Sequence, residues 1–195
     1  MAKILILFAH PLYEKSRIHK ALKKAIPETS DITFRDLYEL YPDFNINIKQ
    51  EQQLLDQHDI VIWQHPVYWY SVPPLLKQWI DMVLEFGWAY GPGGDKLKGK
   101  YVMNVVSAGG QRAVYNPEGR NRFTIKQFFA PLDQTATLCN MKYLAPFVVH
   151  GTHSLTNDEI HEHASQYKMM LSKLLNGEMD LVQSANSDYM NDLIQ

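Results

Sequence analysis

Five short stretches of the chain, residues 4–8, 32–34, 60–64, 101–106 and 144–149, are mostly apolar. Runs of this length without regular polar alternation suit strands buried on both faces. Between them the period becomes helical. Residues 74–86 place Leu76, Trp79, Ile80 and Val83 on one stripe, with Pro73 and Pro74 at its start and Gly87 beyond its end. Residues 17–26 follow Ser16, a suitable N-cap, and 48–57 form a shorter, more polar helix. Residues 124–139 read as a helix interrupted by Pro131. Thr156 and Glu159 make a capping-box pattern, after which Ile160, Ala164, Tyr167, Leu171 and Leu174 share one face. Strand and helix alternate throughout, which predicts a parallel sheet with helices on both faces.

Five strands in this rhythm predict an α/β fold, a doubly wound sheet of order 2-1-3-4-5 over residues 1–176. Residues 177–195 are polar and weakly patterned, as expected for a loose C-terminal tail or an arm on a partner subunit. A length of 195 residues suits one domain. The formal charge of −2 offers no electrostatic case for nucleic acid. The apolar run that begins at Ile4 is too short to span a membrane and lacks a small-residue cleavage site. Cys139 is the single cysteine, so no intrachain disulfide is possible and a reducing, cytoplasmic setting is expected. It reads as a buried structural thiol.

In a 2-1-3-4-5 sheet the loops after strands one, three and four meet at one crevice. These are the three unusual loops of this chain. The first runs from Ala9 to His19 and ends at a helix start, where free N–H groups, Ser16 and Arg17 suit a phosphate. The second, opened by Pro66 and Val67, carries Tyr68, Trp69 and Tyr70, a wall for a flat conjugated ligand. The third is Ser107-Ala108-Gly109-Gly110, whose glycines allow close backbone approach. Together they predict a flavin mononucleotide pocket. No Gly-x-Gly-x-x-Gly opens a helix, so a separate dinucleotide site is not expected. Gly93-Gly94-Asp95-Lys96-Leu97-Lys98-Gly99-Lys100 lacks Walker spacing and reads as the turn into the fourth strand. His150, His153, His161 and His163 read as solvated or interface histidines rather than a metal site, since His161 and His163 cannot share a helical face.

Several segments resemble one family. They are Ala9-His10-Pro11; Leu37-Tyr38 with Tyr41-Pro42-Asp43-Phe44; Gln64-His65-Pro66-Val67-Tyr68-Trp69-Tyr70; and Pro74-Leu75-Leu76-Lys77-Gln78-Trp79-Ile80-Asp81. Gly87-Trp88-Ala89-Tyr90-Gly91-Pro92-Gly93-Gly94 and Gly109-Gly110 belong to the same set. The chain resembles the NAD(P)H:quinone oxidoreductase family of flavodoxin-like flavoproteins, from about residue 3 to residue 175. Within it the likeness is strongest to the ancillary subunits of bacterial glutathione-gated potassium-efflux systems.

The resemblance implies FMN, with FAD as the alternative flavin, and NADH or NADPH as the hydride source. It implies two-electron transfer to a quinone or similar acceptor by ping-pong exchange. His10, Ser16, Arg17, Ile18 and His19 would hold the phosphate and ribityl chain. The Pro66 loop, through Val67, Tyr68, Trp69 and Tyr70, would line the ring. Ser107, Ala108, Gly109 and Gly110 would bond the ring's polar edge, and Tyr115 would stabilise charge on it. Two departures stand out. Asn121 occupies the place of a histidine thought to relay a proton in larger animal members, and it cannot change charge. Ser107-Ala108 replaces two threonines found in many relatives.

A homodimer that completes the site is also implied. Trp88 and Tyr90, in a Gly/Pro-rich loop, are expected to be exposed at its interface. Two other classes stay open. One is a regulatory subunit of a potassium-efflux membrane protein, peripheral at the inner membrane face. The other is a one-electron flavodoxin-type carrier, against which the small net charge counts.

Overall fold

Every residue of β1 (Ile4–Phe8) is buried, as the unbroken apolar run requires. The computed structural model describes residues 1–194. After β1 come α1 (Arg17–Ala25), β2 (Ile32–Asp36), α2 (Leu37–Leu40), α3 (Ile48–Gln57), β3 (Ile60–Pro66) and α4 (Pro74–Val83). Then follow β4 (Tyr101–Ser107), α5 (Ile125–Phe128), α6 (Ala130–Leu138), β5 (Lys142–Tyr143), β6 (Phe147–Val149), α7 (Asn157–Asn176) and α8 (Leu181–Asn186). All strand pairs are parallel, in the order β2-β1-β3-β4-β5, with β6 also on β4. The doubly wound order expected from the sequence is the observed one.

Alternate strand residues feed two cores. Leu5, Leu7, Val61 and Trp63 pack with Leu76 and Trp79 of α4 and Leu132 of α6. Ile4, Ile6, Ile60 and Ile62 pack with Leu22 of α1 and Tyr167 and Leu171 of α7. Helix starts follow their caps. The Ser16 hydroxyl accepts from the His19 N–H at 3.1 Å, and Thr156 and Glu159 close a reciprocal capping box at α7. Gly177 ends α7 with φ of 70°, a conformation that costs glycine nothing. The fourth predicted helix divides into α5 and α6, with Pro131 in the first turn of α6.

The fifth strand differs from its expectation. It is two pieces, β5 and β6, both paired to β4 and separated at residues 144–146. Pro146 has no N–H to give. The backbone there turns to the C-terminal segment instead: Ala145 N–H donates to the Ser184 carbonyl at 3.0 Å, and Met190 N–H donates to the Pro146 carbonyl at 2.9 Å. Asn191 accepts from the Val148 N–H at 2.8 Å and donates to the Val148 carbonyl at 3.2 Å. Ser184, Tyr189, Met190 and Ile194 are buried. The segment expected as a loose tail or partner arm thus runs along the outer edge of its own fifth strand. Trp88 and Tyr90 also differ: both are half-buried and pack on the chain's own core, because the turn at Gly91 and Gly93 folds the loop back. Phe86, 69% exposed, takes the outward place in that loop. Among the described residues no helix is long and apolar enough to cross a membrane.

Candidate active site

The C-terminal ends of β1, β3 and β4 open into one cleft in two parts. The first part, about 420 Å³, is walled by His10, Lys15, Ser16 and Arg17 on one side and by Pro66, Tyr68, Ser107 and Gly109 on the other. Its base is the start of α1, where the first N–H groups have no partner inside the helix. Lys15 and Arg17 bring positive charge, and among the described residues no carboxylate side chain lines this part. Arg17 is steered by Asn157, whose side-chain oxygen accepts from its guanidinium at 2.9 Å. His10 is fixed by the Leu12 N–H, which donates to Nδ1 at 3.1 Å. Burial lowers the pKa of His10, so its Nδ1 stays available as an acceptor near neutral pH.

The second part, about 360 Å³, shares Val67 and Gly109 with the first and is otherwise walled by Trp69, Tyr70, Gly110, Tyr115 and Asn121, with Arg120 at its rim. Trp69 and Tyr70 form a tight turn whose ends bond reciprocally, Tyr68 N–H to the Ser71 carbonyl at 3.1 Å and the reverse at 3.0 Å. The turn puts φ at 48° for Trp69 and 65° for Tyr70. Bulky residues rarely adopt that region, and each costs roughly 1–3 kcal/mol. The Tyr70 ring stacks on Phe128, with centroids 4.8 Å apart, whereas Trp69 is 94% exposed. Strain held at a cleft wall is the pattern of a site whose shape serves a ligand.

Tyr115 is 7% exposed. Burial raises its pKa, while the Gly110 backbone and the Asn121 side chain, both at its hydroxyl, pull the other way. At neutral pH it is therefore a protonated phenol. A methyl group on Gly110 would lie 2.9 Å from Val114 and 3.0 Å from the Tyr115 ring, so the glycine is what lets the Tyr115 loop close on the strand end.

Beneath the cleft lies a polar chain that is buried from Tyr167 to His19 and surfaces at Ser107. The Tyr167 hydroxyl donates to Gln64 Oε1 at 2.8 Å, the Gln64 amide approaches His19 Nδ1 at 3.4 Å, and His19 Nε2 donates to Ser107 Oγ at 3.0 Å. Burial, with the nearby His10 and His65, holds the His19 pKa well below its ordinary range, so the ring is neutral and bonds through fixed tautomers. Its role in this geometry is to hold Ser107. His65 is similar: burial pushes its pKa down to about 4, and its ring bonds the Pro66 carbonyl and the Asn104 side chain.

Most of the residues expected at the site therefore meet: His10, Ser16, Arg17, Ile18, Pro66, Val67, Tyr68, Ser107 and Gly109 in the first part, and Trp69, Tyr70, Gly110, Tyr115 and Asn121 in the second. His19 and Ala108 lie behind the wall. Ala108 is 1% exposed, and its N–H donates to the Val149 carbonyl at 2.8 Å, tying β4 to the fifth strand. Thr152 and His153, from the loop after β6, line the first part and were not anticipated. His153 lies against Gly109, apart from His161 and His163 on α7, and among the described residues no metal-binding group of three His, Cys, Asp or Glu side chains occurs. Cys139 is buried at 1% exposure, and burial pushes its pKa up to about 11, which leaves the thiol inert.

The family profile for the flavodoxin-like fold matches residues 2–171. The chain belongs to this flavodoxin-like family. It is 45% identical over 165 residues to the uncharacterized NAD(P)H oxidoreductase YdeQ of Bacillus subtilis, covering 85% of this chain and 84% of that one. It is 40% identical over 166 residues to the glutathione-regulated potassium-efflux system ancillary protein KefG of Enterobacter sp., covering 85% and 91%. Among solved structures, general stress protein 14 of Treponema denticola, in complex with FMN, is 39% identical with a TM-score of 0.84, covering 88% and 99%. An NADPH-quinone reductase from P. pentosaceus is 34% identical with a TM-score of 0.78, covering 86% and 96%.

Proposed function

We propose that the chain is an FMN-dependent NAD(P)H:quinone oxidoreductase that works by two-electron, ping-pong exchange. One observation carries the reading: a single cleft joins a cationic, carboxylate-free helix start to a strained aromatic turn faced by a glycine pair and a tyrosine. That layout fits a molecule with an anionic phosphate at one end and a flat ring at the other. The flavodoxin-like relatives named as NAD(P)H oxidoreductase and NADPH-quinone reductase, and the FMN complex of a third, support it.

When bound, FMN supplies the hydride acceptance and donation that no side chain here can perform. The chain supplies the rest. Ser16, Arg17 and the first turn of α1 bind the phosphate. Val67 and the Trp69–Tyr70 turn would orient the ring on one side, and nicotinamide and then quinone would approach it from the other. Use of that one face by both substrates makes the kinetics ping-pong. Gly109 and Gly110 offer backbone groups to the ring's polar edge, and the Tyr115 hydroxyl donates where negative charge develops. Asn121 holds that hydroxyl in place but moves no proton at ordinary pH. A second copy of the chain walls the open face, on which Trp69 stands exposed.

The purified protein, loaded with FMN, is expected to be yellow and to bleach with NADPH or NADH, then recover its colour with a benzoquinone. A protein that takes up neither FMN nor FAD rejects the reading. The likeness to KefG favours a second role, as an ancillary subunit of a potassium-efflux system. Co-purification with such a transporter from a membrane extract tests it, and its absence at matched expression counts against that role alone.

A further inference from the structure

The family match ends at residue 171, yet the chain beyond it reaches back to the cleft. The contact is a continuous stack. Asp192 takes two hydrogen bonds from the Arg112 guanidinium, at 2.7 and 2.6 Å. That guanidinium lies 4.2 Å from the centroid of the Tyr189 ring. Tyr189 meets His150 edge-on at 5.4 Å, and His150 meets Tyr115 at 5.3 Å. Nearby, Lys126 donates to the Ser187 carbonyl at 3.1 Å. Arg112 begins the short 3-10 turn whose C-cap is Tyr115. The C-terminal segment therefore holds Tyr115 twice, through its loop at Arg112 and through its ring at His150.

The space behind Tyr115 explains why a hold is needed. A pocket of about 260 Å³, partly open to solvent, lies between Tyr115, Thr124, Ile125 and Tyr189, and Tyr115 lines both it and the ring end of the cleft. A tyrosine bordered by open space on that side has somewhere to go. Both ring nitrogens of His150 are buried without a well-formed hydrogen bond, with only the Gly110 backbone as a polar neighbour that favours its charge, so the ring is held chiefly by its aromatic neighbours.

We propose that the C-terminal segment is a positioning strap, in which Tyr189 and Asp192 set the place of the Tyr115 hydroxyl through Arg112 and His150. Tyr189 and Asp192 are positioning residues and touch neither cofactor nor substrate. The proposal rests on the reading of Tyr115 as part of the reacting wall. Misplacement of a group that acts on the reacting atoms lowers the rate, and removing the Tyr115 hydroxyl outright is expected to cost about tenfold, so a partly released strap is expected to cost roughly threefold.

The test compares Tyr189→Leu, Tyr189→Phe and Asp192→Asn in the FMN-loaded protein. Tyr189→Leu is expected to slow NADPH bleaching roughly threefold with FMN affinity within about twofold of wild type, and Tyr189→Phe, which keeps the ring, to restore the rate. Asp192→Asn should fall between them. Trypsin cleavage after Arg112, Arg120 and Arg122 reads the same hold without catalysis, and should quicken in Tyr189→Leu but not in Tyr189→Phe. An unchanged bleaching rate in Tyr189→Leu overturns the proposal, as does a loss that Tyr189→Phe shares. If wild type itself is not bleached, the oxidoreductase reading has failed, and the trypsin comparison still decides the strap: equal cleavage in wild type and Tyr189→Leu rejects it.

Discussion

Tyr115 and Asn121 show what a single side chain contributes. The phenol is protonated, nearly buried, and aimed at the strand end by Gly110 and Asn121. If, as proposed, its hydroxyl acts on charge that grows as hydride moves, Tyr115→Phe should lower the stopped-flow rate by about tenfold and leave FMN binding unchanged. The effect is modest because the backbone groups of Gly109 and Gly110 share the task. A rate equal to wild type removes Tyr115 from the mechanism. Asn121→His places a titratable ring beside the same hydroxyl, so its rate should acquire a pH dependence between about pH 5 and 8 that wild type lacks. At this scale the sequence shows residue types whose chemistry is distinctive, such as the aromatic trio and the glycine pair. It does not show Thr152 or His153, because their place in the cleft depends on how the fifth strand delivers its loop. Nor does it separate Ser107, which faces the cleft, from Ala108, which faces away: alternation along a strand end tells the two faces apart but not which is the wet one.

Among the elements, α1 ties fold to ligand most directly. Its first turn is capped by Ser16 and flanked by Arg17, which Asn157 at the start of α7 holds by a 2.9 Å bond. Replacing Ser16 and Arg17 together by alanine removes a cap worth about 1 kcal/mol and a charge-assisted phosphate contact worth about 1.5–3 kcal/mol. Titration should then show FMN binding weakened tenfold or more, with turnover at saturating FMN little changed. Unaltered affinity would place the phosphate elsewhere. The helix starts were legible because caps are local: Ser16, and Thr156 with Glu159, announce α1 and α7 within four residues. The strands were legible because β1, β3 and β4 are covered on both sides and so cannot hide their apolar character. The broken fifth strand was not. Its break depends on the Ala145 N–H and the Pro146 carbonyl finding partners some forty residues later, the Ser184 carbonyl and the Met190 N–H, and no periodicity reports such a pairing. The four-residue α2 is too short to carry a period at all.

On the scale of the whole molecule, histidines govern the response to acid. Burial lowers the pKa of His10, His19, His58, His65 and His150, the last two to about 4. The unfolded chain therefore takes up protons below about pH 6.5 that the folded chain refuses, so stability is full above that pH and falls as pH drops toward 4. His65 alone accounts for on the order of 3 kcal/mol across that window. Asp36, whose pKa burial raises, acts in the opposite sense, but it is one group against five. Urea midpoints should fall steadily from pH 7 to pH 4.5, and a flat profile would refute the argument. Pairing of two copies is the other molecular expectation. Light scattering across a dilution series should report a dimer, and Trp69→Ala should weaken it, because this ring is 94% exposed beside the open end of the cleft. A monomer with full activity per flavin rejects the shared wall.

The seam between Pro146, Val148 and the C-terminal segment also decides how copies cannot meet. Sheet edges with free N–H and C=O groups recruit foreign strands and seed cross-β growth. Here the rim of the fifth strand from Ala145 to Val148 is already bonded by Ser184, Met190 and Asn191 of the same molecule. No second chain can zip onto it while they remain. A chain cut after Asp180 would expose that rim as an adhesive edge, and its solutions should turn turbid on warming at temperatures where the intact protein stays clear.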